Sequence, residues 1–342
     1  MSINCDINNV LGEKIVVVGA TGLVGREMLR ILCEEGVPLS NVMAIASQKS
    51  KGGLLDYGNS KLEIFDLSDI SFEDYDTAFF SAGSDVSRIY APIAADAGCL
   101  VIDNTSYFRM NDDIPLVVPE VNIAEARKFK NKKVIANPNC STIQMVVPLK
   151  PLHDAFGLRE LVVSTYQSTS GAGKDGVNEL MFQTSEIVSG NSVKPECFKK
   201  QIAFNVIPQI DVFTDNLYTK EELKMMNETK KILDLYDIDI TATCVRVPVV
   251  IGHAVSVFAK FERNVFLSEV VEVLKTFKGV QVVDDANSYE YATPVDVTSK
   301  NDVFVSRLRK HPTIENALSF WCVADNLRKG AALNAIQIAK ML

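Results

Sequence analysis

Apolar residues in the first part of the chain come in short runs separated by helix-length stretches: KIVVVGA from Lys14, VMAIAS from Val42, DTAFFSAG from Asp76 and CLVIDNT from Cys99. Helical periodicity fills the gaps, from about Leu23 to Glu35 and through RIYAPIAADAG (88–98). Strand and helix in alternation imply right-handed crossovers and a parallel sheet. After Cys140 the pattern changes. ELVVSTYQS, TATCVRVPVVIG and HAVSVFAKFE read as strands among long polar helices such as KEELKMMNETKKILDLY. That mixture predicts a second domain of α+β type, an antiparallel sheet covered by helices. The last segment, ADNLRKGAALNAIQIAKML, carries Leu333, Ile336, Ala339 and Leu342 on one stripe and is expected to pack back on the first domain. The expected division is 1–139 with 324–342, and 140–323. Gly190–Lys200 is polar and reads as a mobile loop.

At 342 residues the chain exceeds the ~250 to 300 that one core usually supports, which agrees with two domains. A formal charge of −8 excludes general binding to nucleic acid or anionic membrane, so basic residues are weighed singly. The N-terminal residues show no basic segment followed by an apolar stretch, and no run of 18 or more apolar residues occurs, so a cytoplasmic protein is expected. Seven scattered cysteines (5, 33, 99, 140, 197, 244 and 322), without CxxC or His-rich spacing, predict no metal site. Six are expected to be reduced thiols, most of them buried as small hydrophobes.

Two local patterns carry chemistry. Gly19, Gly22 and Gly25 follow the first apolar run as GxxGxxG, where a tight turn lets backbone N–H groups approach a pyrophosphate. The second run ends in SQKSKGG, without the acid that would hold a ribose 2′-OH and with Lys49, Ser50 and Lys51 instead, which favours NADP. The second pattern is NPNCST (137–142) at the start of a helix. Unpaired N–H groups and the helix dipole there favour thiolate at Cys140. A nucleophilic Cys beside a hydride carrier suggests acyl transfer through a thioester. Its partner must be His153, about thirteen residues along the same segment; His311, before a proline in a charged loop; or His253, after Gly252 at a strand end.

The motifs GATGLVG, DNTSYFRM, VVPEVN, NPNCSTIQM, STYQSTSGAG, FNVIPQIDVFTDN, EELKM, CVRVPVVIGH and VADNLRKGAA occur in the order seen in the aspartate-semialdehyde dehydrogenase family, over nearly the whole chain. The chain resembles the bacterial type. The resemblance implies an α/β fold: an N-terminal Rossmann NADP-binding domain plus an α+β catalytic and dimerisation domain of the glyceraldehyde-3-phosphate dehydrogenase type, in a homodimer or dimer-based homo-oligomer.

By resemblance, Cys140 corresponds to the acyl-thioester nucleophile, His253 to the acid/base and Gln167 to the residue that orients the substrate. Arg246 resembles the arginine on the α-carboxylate and Glu221 the partner of the α-ammonium. Arg109 and Lys224 resemble the phosphate-holding pair, and Asn139 falls among the substrate contacts. Gly19, Thr21, Gly22, Leu23, Val24, Lys49, Ser50, Ser170, Gly171 and Asn326 match the NADP contacts. The implied reaction is reversible NADP-dependent conversion of L-4-aspartyl phosphate to L-aspartate 4-semialdehyde and phosphate, in amino-acid biosynthesis. The rivals are N-acetyl-γ-glutamyl-phosphate reductase, in which an acetylated amine gives Glu221 no charge to pair, and a non-catalytic NADP-binding redox regulator. Two departures stand out. Ala254-Val255-Ser256 replaces a common Ser-Glu-Ser, and the 190–200 region and the C-terminus are short.

Overall fold

The structure, a computed structural model, describes residues 12–128 and 133–342; Cys5 and the N-terminal segment read above lie outside these. Two compact units result, Met1–Pro138 with Ala331–Leu342, and Asn139–Gly330. Asn139 and residues 324–330, expected in the first domain, therefore belong to the second unit.

The first unit holds a seven-stranded sheet in the order β3-β4-β2-β1-β5-β6-β7. The strands are β1 (Ile15–Val18), β2 (Val42–Ile45), β3 (Leu54–Tyr57), β4 (Ser60–Phe65), β5 (Thr77–Phe80), β6 (Leu100–Asp103) and β7 (Val134–Ala136). All neighbours run parallel except the β3–β4 hairpin at one edge. That hairpin is absent from the sequence reading, because its alternation of exposed and buried residues is short and rich in charge. β1 is buried at all four positions, as a strand with covered faces must be. Helices α1 (Leu23–Glu34), α2 (Ser84–Asp96) and the one-turn α3 (Pro119–Asn122) follow the crossovers. Met28, Leu29 and Leu32 of α1 share a core with Ile15, Val17 and Phe79.

The second unit is built on a six-stranded sheet in the order β11-β14-β15-β10-β8-β9, with a small β12-β13 hairpin beside it. Here β8 is Leu158–Gln167, β9 Asp239–Arg246, β10 His253–Phe261, β11 Val280–Val282, β12 Asp284–Asp285, β13 Glu290–Tyr291, β14 Val303–Lys310 and β15 Ala317–Ala324. The central pairs are antiparallel, but β8–β9 and β11–β14 are parallel. The wholly antiparallel expectation fails because β8 and β9 are joined by more than 70 residues, room enough to return in the same direction. The helices are α4 (Cys140–Phe156), α5 (Gly173–Val188), α6 (Lys220–Leu233), α7 (Leu267–Thr276) and the short α8 (Pro294–Val297). α4 is apolar on nearly all sides and buried along most of its length, with Pro148 and Pro151 inside it.

The last helix, α9 (Leu333–Lys340), belongs to the first unit and shares its core through Leu333, Ile336 and Ala339. Leu342 does not join that stripe and is 38% exposed. Among the described cysteines, Cys99, Cys244 and Cys322 are buried, whereas Cys197 is exposed. Gly190–Lys200 lacks regular structure, yet Glu179 of α5 accepts bonds from the main-chain N–H groups of Glu196, Cys197 and Phe198. Among the described residues no helix is long and apolar enough to cross a membrane.

Candidate active site

In the second unit Cys140 is the first residue of α4. Asn139 caps that helix: its Oδ1 accepts from the N–H groups of Ser141 (3.0 Å) and Thr142 (3.3 Å). Its Nδ2 donates to Glu221 Oε1 at 2.8 Å, and its own N–H donates to Glu228 Oε2 at 2.6 Å. The turn before the thiol is thus held from both sides. Gly330 presses against it, since a Cβ there would lie 3.0 Å from the Cys140 Cβ.

Glu221, Lys224 and Glu228 share one face of α6 by their spacing of three and four. Glu221 also accepts from Gln167 Nε2 (3.2 Å) and meets Lys224 Nζ (3.2 Å), which in turn meets Asp211 Oδ2 (2.9 Å). Burial pushes the Glu221 carboxyl up, but the Lys224 charge and the bonds from Asn139, Lys224 and Gln167 outweigh it and hold it below its ordinary value. Lys224 shifts upward for the complementary reason: burial opposes its charge, and Glu221 and Asp211 more than restore it. Both members of this pair, the buried Glu221 and the half-buried Lys224, are therefore charged.

Gln167 and Arg246 end adjacent parallel strands and are direct partners in the β8–β9 register. Arg246 is 5% exposed, donates from Nη1 to the Ser168 carbonyl at 2.8 Å and lies over the Phe198 ring. Its Nε has no protein partner. Burial works against its charge, while Glu221 and Cys140 support it.

His253 opens β10 and is fully buried. Its Nδ1 faces the Ser168 N–H at 3.0 Å and the Ser168 Oγ at 2.9 Å, while Nε2 has no protein partner. Burial, then Arg246, drives its pKa well below the ordinary value, so the ring is neutral at neutral pH. Both Nε2 and Arg246 Nη1 border Gly171: a Cβ there would stand 3.0 Å from the first and 2.8 Å from the second. Asn326 braces the group, its Oδ1 accepting from Gly252 N–H (2.8 Å), Ser168 Oγ (3.1 Å) and Ser170 Oγ (3.2 Å).

The other histidines are elsewhere. α4 runs unbroken past both prolines, so His153 sits ~20 Å along it from Cys140. Its Nδ1 accepts from the Leu158 N–H. His311 accepts from Ile314 N–H in its own loop. Val255, on the same strand face as His253, is fully buried between Thr165 and Cys322.

In the first unit a crevice of about 400 Å³ opens at the carboxyl ends of β1, β2, β4 and β5, lined in part by Gly19, Thr21, Gly22, Ser47, Asp66 and Ala82. This is the point where strand order reverses around β1, the usual place for a nucleotide. Gly19 has φ +92°, and a Cβ there would meet the Ser81 carbonyl at 2.5 Å; one on Gly25 would meet the Gly19 carbonyl at 2.3 Å. Leu23 and Val24 begin α1, whose N-terminus has no side-chain cap. The cradle fits a dinucleotide. Lys49 and Ser50 form a short turn after β2 and do not line the crevice. Asp66 does, because β4 lies beside β2. From sequence an acid was expected only at the end of the second strand, not of its sheet neighbour. Arg109 is also in this unit, 8% exposed, donating to the Asn104 carbonyl at 2.8 Å. Ser170, Gly171 and Asn326 lie in the second unit around His253.

Four contributors escaped the sequence reading. Ser168 and Gly330 carry no local signal. Glu228 continues the Glu221 and Lys224 face and was discoverable from spacing, whereas Asp211 reaches Lys224 from a loop.

The family model for "Semialdehyde dehydrogenase, NAD binding domain" matches residues 14–129, and that for "Semialdehyde dehydrogenase, dimerisation domain" matches 149–329. Aspartate-semialdehyde dehydrogenase of Shewanella sp. is 45% identical over 96% of this chain and 97% of its own length. That of Bacillus subtilis is 46% identical over 97% of each. The crystal structure of aspartate semialdehyde dehydrogenase II from Vibrio cholerae superposes with TM-score 0.93 at 44% identity, covering 96% of this chain and 98% of that one. With both family models matched in order and relatives aligned almost end to end, the chain belongs to the aspartate-semialdehyde dehydrogenase family of oxidoreductases.

Proposed function

We propose that the chain catalyses the reversible, NADP-dependent reductive dephosphorylation of L-4-aspartyl phosphate to L-aspartate 4-semialdehyde, through a thioester on Cys140. The observation that carries this reading is the second unit's constellation: a cysteine at a capped helix N-terminus, a charged Glu221 at that cap, and Arg246 with His253 Nε2 converging beside Gly171. Arg246 suits the α-carboxylate, since a planar fork pairs with two oxygens. Glu221 suits the α-ammonium, and Gln167, tied to it, fixes the backbone of the substrate. The Cys140 thiolate attacks the acyl carbon and phosphate departs, with Lys224 as its cationic partner in this unit. Bound nicotinamide supplies the hydride that reduces the thioester. A related V. cholerae structure, 44% identical, is described as complexed with ASA, which supports the substrate class.

The lack of an acid at the end of β2 favours NADP, although Lys49 and Ser50 beyond it do not line the crevice. Asp66 in the crevice is the competing feature, and its carboxylate is engaged by the Ser68 N–H and hydroxyl. The exposed sheet face carrying Val162 and Tyr166, in a chain that matches a dimerisation-domain model, supports a homodimer or dimer-based oligomer. A place in lysine, threonine, methionine and diaminopimelate formation follows from the product. Phosphate-dependent reduction of NADP and of NAD, measured with aspartate semialdehyde against N-acetylglutamate semialdehyde, tests the reading. Activity on the acetylated substrate alone defeats the assignment, and a strong preference for NAD defeats the cofactor choice.

A further inference from the structure

Helix α5 turns Gly176, Glu179, Leu180 and Gln183 inward on one face, although Glu179 and Gln183 are polar. Gln183 Oε1 accepts from the main-chain N–H groups of Ile202 (2.9 Å) and Ala203 (3.2 Å). Its amide orientation is thereby fixed, and its Nε2 donates to Glu179 Oε1 at 2.7 Å. Glu179 Oε1 also accepts from the Glu196 N–H at 3.3 Å, while Oε2 accepts from the N–H groups of Cys197 and, at 3.3 Å, of Phe198. Four donors thus converge on one carboxylate, which stands in for the regular partners that the 196–198 turn lacks. The turn seats Phe198. Its ring packs with Leu180, Ile202 and Ile207, and a Cβ on Gly176 would stand 3.1 Å from its Cζ. The Arg246 guanidinium lies over that ring, 5.9 Å from the centroid. Ile207 holds the same arginine by its backbone, donating to the Arg246 carbonyl at 2.9 Å and accepting from its N–H at 2.8 Å.

We propose that Glu179 is a positioning residue for substrate recognition: it fixes the turn that holds the Phe198 ring against Arg246, and so aims that guanidinium at the substrate α-carboxylate. This deepens the function proposed above and rests on it for the identity of the substrate. Arg246 is 5% exposed and its Nε has no protein partner, so few contacts set the plane of its fork. The Ser168 carbonyl takes one N–H of Nη1, and the aromatic face restrains the cation without using a donor. Donors left open are what a planar fork needs to bind a carboxylate. Charge at Glu179 matters more than its size. In Glu179→Gln one oxygen becomes an NH2 that must face donors whichever way the amide turns: Gln183 Nε2 and the Glu196 N–H on one side, the Cys197 and Phe198 N–H groups on the other.

Glu179→Gln is expected to raise KM for aspartate semialdehyde about five- to tenfold, with kcat and the KM values for phosphate and NADP little changed. Phe198→Leu, which keeps apolar bulk and removes the π face, is expected to do the same, and the double variant to be no worse than either single one. An unchanged aldehyde KM in either single variant overturns the proposal. An equal rise in all three KM values, the mark of general loosening, overturns it too, as does additivity in the double variant. Where Glu179→Gln does not fold, Glu179→Asp, one methylene short of the turn, takes its place under the same readings. The 15Nε–1Hε resonance of Arg246, assigned by its loss in Arg246→Lys, reads the seat without turnover. It is expected to move in Glu179→Gln toward its position in Phe198→Leu, and an unmoved resonance overturns the proposal. Wild-type protein that does not turn over aspartate semialdehyde, with the resonance moving as expected, defeats the functional reading and leaves the seating of Arg246 standing.

Discussion

At Gly171 one methyl group would fill the space between Arg246 and His253, because a Cβ there would stand 2.8 Å from one and 3.0 Å from the other. Gly171→Ala is expected to raise KM and cut kcat/KM by more than about tenfold while the melting temperature changes little, as steady-state kinetics beside calorimetry will show. His253 couples the site to stability. Its folded pKa lies well below the unfolded value, so below about pH 6.5 the unfolded chain binds a proton that the folded one refuses. Stability from this group is complete above about pH 6.5 and falls as pH drops toward the folded pKa, by at most ~1.4 kcal/mol per pH unit. Urea denaturation between about pH 7 and 5 should show a shallower acid decline in His253→Gln than in wild type. Val255 leaves the ring without an acid on its own strand face. Val255→Glu places a carboxylate among fully buried neighbours and is expected to lower the urea midpoint markedly, with a loss of roughly 3 kcal/mol.

Two helices build the site as elements. α4 supplies the N-terminus that favours a thiolate, and α6 supplies the face that holds the turn before it, through Glu221 on the Asn139 side chain and Glu228 on the Asn139 N–H. Glu228→Ala strips that N–H of an acceptor in a buried place, a cost of about 1 to 3 kcal/mol, whereas Glu228→Gln retains an oxygen there. Reaction of Cys140 with iodoacetamide and kcat should both fall in the alanine variant and recover in the glutamine variant. Equal kinetics in both variants and wild type would remove Glu228 from the positioning of the nucleophile. The strands matter through register: pairing Gln167 with Arg246 sets the two side chains proposed to bind substrate side by side at the ends of adjacent strands.

At the scale of the whole molecule, the second sheet bears on assembly. The second sheet turns Leu161, Val163 and Thr165 inward, and leaves Val162 (42% exposed) and Tyr166 (38%) on its other face. Large apolar groups on a regular face mark an association surface. Tyr166→Arg with Val162→Asp is expected to shift the protein to monomer in sedimentation velocity; an unchanged oligomer would place the interface elsewhere.

The alternation of apolar runs and helices was enough to read a parallel sheet, because a strand buried on both faces must be continuously apolar and its crossovers must be helical. NPNCST and the glycine turn were legible for a similar reason: capping and close approach to a phosphate depend on residues adjacent in sequence. The β3–β4 hairpin was not, because its short alternation is rich in charge, and neither were the parallel pairs of the second sheet nor the contacts of Ser168, Asp211 and Gly330, since each of these depends on a neighbour distant in sequence. Sequence alone determined the local chemistry of Cys140 and, among three histidines, kept the choice open. Tertiary structure set His253 apart by burying it beside Arg246 and aiming a main-chain N–H at its Nδ1, with His153 and His311 placed elsewhere. Burial and a desolvated charge are properties of surroundings, and only the folded chain has them.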